Sequence, residues 1–268
     1  AKRAETAGVL VAFWRLVVVS VAWNLLLAAS GRRVTLADVR AVWPCGVFFG
    51  LNLAVFFSGA THNSVANAAL IGSCAPFLIV PVGAWLFREH LDPRALGFAL
   101  LAFAGVVLVL LSAPPGGDAS WQGNVFGIAA MLLLVAYVAS TRQRRRGLDV
   151  TTFMATICPI ATVAVLPVAL AHGGVATVSS TGWTFILLLA GTSGITAQGL
   201  LVYAQRSIQI GSIAIAQIAQ PALAVVWSSL LLDEVVNGRQ VAGIATVMCG
   251  LAGFTLLNAR AGRRDPVP

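Results

Sequence analysis

The stretch CAPFLIVPVGAWLFREHLDPR (74–94) decides how the rest of the chain reads. Its third residue, Pro76, lies inside an apolar run from Val65 to Phe87. Proline removes a backbone donor and clashes with the preceding turn, so in water it usually ends a helix. An offset of 145 residues carries the stretch onto AQPALAVVWSSLLLDEVVNGR (219–239). Pro76 then falls on Pro221, Glu89 on Glu234, Arg94 on Arg239, Gly46 on Gly191 and Gly105 on Gly250. A proline at membrane depth is tolerated where the carbonyls it frees are buried in protein or face water. Here those carbonyls belong near Gly72 and Gln217. Each proline reads either as a packing kink or as a hinge lining a cavity, and their pairing favours the hinge.

Composition points the same way. Of 268 residues, 59% are hydrophobic and 10% charged, against roughly 45–50% and about 25% in soluble domains. Most of the surface is therefore expected to face lipid. Nine apolar segments follow one another, at 8–29, 41–60, 65–87, 95–113, 123–139, 152–171, 182–204, 211–232 and 240–258. The net charge of +8 and pI near 10.6 do not argue for nucleic acid, because the arginines cluster in the short loops between these runs. If the loops alternate sides, thirteen of the 17 Lys and Arg residues fall on one side and three on the other. The positive-inside rule then places the C-terminus in the cytoplasm. Cys45, Cys74, Cys158 and Cys249 all lie in apolar runs and form no CxxC pair, which reads as small buried hydrophobes. Three distant histidines give no metal site, and no cofactor is expected.

The repeat unit holds five spans. An odd number makes the second copy enter from the opposite face, the inverted arrangement of many secondary transporters. The boundary falls in SAPPGGD (112–118), giving repeats at 1–113 and 114–260 and a cytoplasmic tail at 261–268. The first repeat shows four spans, so the expectation is an all-α membrane protein with nine helices of ten. The missing span would precede residue 1.

SVANAALIGSCAPFLIVPVGAWLFREHLDPRALGFALLAFAGVVLVLL (64–111) resembles the fourth and fifth spans of the EamA domain, in the drug/metabolite transporter superfamily. Residues 211–258 look like the same portion of a second copy, and AFWRLVVVSVAW (12–23) is similar to the family's second span with its arginine. The resemblance implies a transporter whose cavity is lined by the first four helices of each half. It also implies export of an amino acid-like solute, another small metabolite or a drug by alternating access, with no enzyme activity. The expected partners are that solute and the lipid bilayer of the cell membrane, with a homodimer left open.

Polar residues inside the spans are the site candidates. Arg15 is the basic residue within a span, and it either snorkels or pairs with an anion in the cavity. Asn24, Asn52, Asn67, Gln198, Tyr203, Gln217 and Gln220 either tie helices together or hydrogen-bond a solute. Gln217 and Gln220 flank Pro221 and lead the substrate-binding set of Gln217, Gln220, Arg15, Asn52, Asn67, Gln198 and Tyr203; Pro76 and Pro221 are the hinges. GTSG (191–194) matches an intramembrane protease motif, but no histidine follows residue 172, so close helix packing explains it better. GVFFG (46–50) and GNVFG (123–127) read the same way. A non-transporting scaffold or sensor is the alternative function.

Overall fold

The structure, a computed structural model, describes residues 8–59, 71–72, 74–88, 93–112, 121–145, 147–171, 178–217, 219–220, 222–223 and 238–262. Every described element is helical: α1 (Gly8–Ala29), α2 (Leu36–Gly59), α3 (Ala75–Phe87), α4 (Pro93–Leu111), α5 (Trp121–Arg144), α6 (Val150–Ala171), α7 (Ser180–Leu189), a π-helical segment (Ala190–Ala197), α8 (Gln198–Ala204), α9 (Ile210–Ala216) and α10 (Gly238–Gly262). Five stretches are long and apolar enough to cross a membrane: Val9–Ala29, Leu36–Gly59, Trp121–Arg144, Val150–Ala171 and Gly182–Ala204. Helices suit this setting because all their backbone bonds close within the segment.

Local chemistry sets the helix starts. α2 begins five residues before the apolar run at 41, because Thr35 and Asp38 form a capping box. The Thr35 amide donates to Asp38 Oδ2 (2.9 Å), and the Asp38 amide donates to Thr35 Oγ1 (3.2 Å). Asp149 caps α6, accepting from Thr152 Oγ1 at 2.6 Å and pairing with Arg32 at 2.7 Å. Burial alone would raise the Asp149 carboxyl. The bonds from Thr152 and Arg32, with the Arg32 charge, outweigh it and hold the group below its ordinary value of 3.8. Ser179 caps α7 by accepting from the Gly182 amide.

The chain divides into two compact units, each taking helices from both sequence halves. One contains α1, α2 and α5–α8. Its centre is α6, whose Phe153, Met154, Ile157, Cys158, Ala161 and Val165 are fully buried against α1 and α2. α2 approaches α6 closely at Gly46 and Gly50, as GVFFG suggested. A Cβ on Gly46 would lie 2.7 Å from Ile160 Cβ.

The other unit contains α3, α4, α9 and α10, with α4 packed along α10 and α3 against α9. Gly105 and Gly250, partners under the 145-residue offset, hold reciprocal places in the α4–α10 contact. A Cβ at Gly105 would meet the Val247 amide at 2.8 Å, and one at Gly250 would meet the Ala102 amide at 2.6 Å. Backbones this close gain dispersion along their length, the main attraction between helices in lipid.

Pro76 stands differently from its expected place within a helix. Ile71 and Gly72 are helical, Cys74 forms a turn, and α3 starts at Ala75 with Pro76 in its first turn. There the missing donor costs nothing, since first-turn amides have no intrahelical partner. α9 likewise ends at Ala216, with Gln217 in a turn before helical Ala219 and Gln220. Pro221 lies outside the described residues.

Gly250→Leu is expected to destabilise α4–α10 packing by about 1–3 kcal/mol or more, lowering the melting temperature and yield in detergent. Gly97→Ala, where a Cβ meets nothing within 4 Å, should leave both unchanged. The lowered carboxyl of Asp149 predicts a pH signature. Its contribution is present above the ordinary carboxylate value and fades as pH falls through the depressed folded value. Wild type should therefore melt above Asp149→Asn at pH 7, and the gap should close toward pH 3. Side-chain exposures of 51% and 38% for the pair keep that gap small.

Candidate functional site

The first unit contains a set of polar side chains at membrane depth. Arg15, only 6% exposed, sits seven residues into α1. Its Nη2 donates to Ser193 Oγ at 2.8 Å. Ser193 is the midpoint of the Gly182–Ala204 span, so the guanidinium points inward and does not snorkel to the headgroups. Among the described residues, no carboxylate pairs with Arg15. Moving an arginine to the centre of a membrane helix costs about 2.5–3.5 kcal/mol on insertion scales, and one neutral hydroxyl is a weak counterpart for the charge.

The π-helical segment carries Ser193. Its sequence, AGTSGITA, holds two glycines and no large polar side chain. The wide turn shows in Thr196, whose hydroxyl donates to the Gly191 carbonyl five residues earlier at 3.0 Å. Isolated π turns inside α-helices are frequent at functional sites. Gly194 lies against Val19 and the Arg15 side chain, so GTSG does serve close packing, and it also presents a hydroxyl to a buried charge. Ser193 itself is exposed, which leaves one side of the pair accessible.

Around this pair the predicted amides tie helices together. Asn24 Nδ2 donates to the Ala155 carbonyl at 3.0 Å and to Ser20 O at 2.9 Å, joining α1 to α6. Asn52 Nδ2 donates to the Ala130 carbonyl at 2.7 Å, joining α2 to α5. Gln198 Nε2 donates to the Tyr137 hydroxyl at 2.7 Å, and the Tyr137 ring lies 5.0 Å from that of Phe49. Asn24, Asn52 and Gln198 thus act between helices. Tyr203 is 62% exposed and stands apart from them. In the second unit Gln217 is half-buried and Gln220 exposed. Asn67 lies outside the described residues. Ser193 and Tyr137 were missed as partners: a serine among glycines reads as packing, and nothing in the residue pattern marks a π turn.

Residues 2–111 and 121–256 match the EamA-like transporter family. The chain belongs to that family. Among its relatives is an uncharacterized transporter, YxxF, of Bacillus subtilis (strain 168), 24% identical over 80% of this chain and 69% of that protein. The aromatic amino acid exporter YddG of Ancylobacter novellus is 33% identical over 50% of this chain and 48% of its own length. A solved crystal structure with 18% identity superposes with a TM-score of 0.81, covering 96% of this chain and 90% of the other, and shares the EamA fold seen here. Family membership and the apolar helices make this a multi-pass membrane protein.

Tyr137→Phe is expected to lower stability by about 1 kcal/mol, the cost of leaving the half-buried Gln198 amide without its partner. The Tyr137→Phe/Gln198→Leu double variant should recover part of that loss. Thermal melts of the three proteins in detergent check both.

Proposed function

We propose that this EamA protein is a secondary transporter that exports a small carboxylate-bearing, amino acid-like solute by alternating access. The observation that carries this reading is the buried Arg15 guanidinium, whose partner is the neutral Ser193 hydroxyl on a π turn at mid-span. A charge maintained there against its desolvation cost calls for an anion that comes and goes, and a solute carboxylate supplies one. The relative named as an aromatic amino acid exporter supports the same substrate class. In this reading nine membrane segments form two inverted repeats, with 1–113 and 114–260 as the halves. The arginine-rich side and the C-terminus face the cytoplasm of the cell.

Two features support a moving machine. Turns at Cys74 and Gln217 precede the paired prolines in sequence, and irregular helices are typical of transporter binding regions. The π turn beside Arg15 is a second irregular element, and its conversion to regular α-helix would rotate Ser193 away from the guanidinium. Pro76 and Pro221 keep their proposed hinge role. Gln217 and Gln220 are kept as proposed solute contacts.

The test is counterflow of labelled amino acids in vesicles reconstituted with the full-length protein. Arg15→Gln should reduce carboxylate-bearing solute flux about tenfold or more, equivalent to losing about 1.4 kcal/mol of binding. Ser193→Ala should weaken apparent affinity with a smaller effect on maximal rate. Wild-type flux in a folded Arg15→Gln protein would rule out the guanidinium as the solute contact.

A further inference from the structure

A second polar region lies at the far end of the same unit. α1 runs fourteen residues beyond Arg15 to Ala29, roughly 20 Å along the helix axis. There the loop after α1, the α5–α6 connection and the end of α8 surround a cavity of about 620 Å³. Arg32, Arg142, Arg145 and Arg206 line it, with Thr141 and Gln205. The one carboxylate in its wall, Asp149, is taken by Arg32 and the α6 cap. Among the described residues, Arg145 and Arg206 form no ion pair with it.

The orphaned atoms there indicate the ligand chemistry. Arg145 is 7% exposed; Nη1 donates to the Val202 carbonyl, while Nε and Nη2 have no partner among the described residues. Gln205 is 3% exposed, and neither Nε2 nor Oε1 has a partner among the described residues. Arg142 donates to the Gln205 carbonyl, which fixes the main chain at the end of α8. Buried polar groups are nearly always paired, so orphaned atoms on Arg145 and Gln205, two residues of one cavity wall, mark a place where something else supplies the partners. Burial and the Arg206 charge both lower Arg145 from its ordinary value, so an anion beside it would relieve both.

We infer that this cavity binds a phosphate ester that also carries a hydroxyl, through Arg145, Arg206 and the Gln205 amide. Guanidinium and amide donors belong to one cavity wall, and arginine's planar fork suits phosphate oxygens. The Gln205 Oε1 acceptor calls for a donor on the same ligand, which an ionised phosphate ester group lacks and a neighbouring alcohol supplies. The cavity is several times larger than a phosphate group, leaving room for the alcohol. Two sources share this chemistry: a soluble polyol phosphate, and the headgroup of a glycerol-bearing anionic lipid.

The experiment uses the full-length protein in detergent and in bilayers. In detergent, glycerol 3-phosphate is titrated at fixed ionic strength against chloride while the melting temperature is followed. In bilayers, melting is compared between phosphatidylglycerol and phosphatidylcholine vesicles. A saturable rise in the first arm identifies a soluble ligand, and a rise confined to phosphatidylglycerol identifies the lipid. Either should fall about tenfold in apparent affinity in Arg206→Ala, an exposed position, and in Gln205→Glu, which places a like charge against the anion. Arg15→Gln should keep the full response, separating this site from the proposed solute contact. No response in either arm, or the same response in wild type, Arg206→Ala and Gln205→Glu, overturns the inference.

Discussion

The hydrocarbon core of a bilayer offers no hydrogen bonds, and the described structure follows from that constraint. Each spanning backbone closes its own bonds as a helix. Each polar side chain at depth must then find a partner, on its own helix as Thr156 does or on another. Asn24 reaches Ala155, Asn52 reaches Ala130, Gln198 reaches Tyr137 and Arg15 reaches Ser193. These bonds cross between helices whose apolar faces alone would slide, since lipid tails are as apolar as leucine. They fix rotation and register, while glycines such as Gly46, Gly105 and Gly250 set how closely the backbones approach.

The same constraint explains the two kinds of arginine in the first unit. Arg142 and Arg145 sit where helices end and donate to the carbonyls of Gln205 and Val202. A helix C-terminus carries partial negative charge and unpaired acceptors, so cations are favoured there. Membrane anchoring and loop packing account for much of their placement. Arg15 has no such helix end beside it. Its position needs a reason beyond topology, which is why it carries the functional proposal.

Much of the architecture was legible because hydropathy and charge report the solvent directly. The run at 8–29 became α1 over the same residues, and 152–171 became Val150–Ala171. Where bounds moved, short-range hydrogen bonding moved them: the Thr35–Asp38 box starts α2 inside a segment that hydropathy assigns to a loop. Pro76 was located, but its backbone context was not. The sequence suggested a kink within a helix, whereas Cys74 forms a turn and Pro76 lies in the first turn of α3. The site was less legible. Polar residues in apolar runs announce that they need partners without saying which. Arg15 and Gln198 were recognisable as candidates, but Ser193 and Tyr137 became visible only once helices distant in sequence were brought together.

The 145-residue repeat gives the deepest link between sequence and packing. A repeat requires only that two halves look alike; it does not require that they touch. Yet Gly105 and Gly250, equivalent by sequence, lie in the same contact and each admits the other helix's backbone. That reciprocity is what a two-fold relation between equivalent helices produces, because any residue needed on one face is needed on the other.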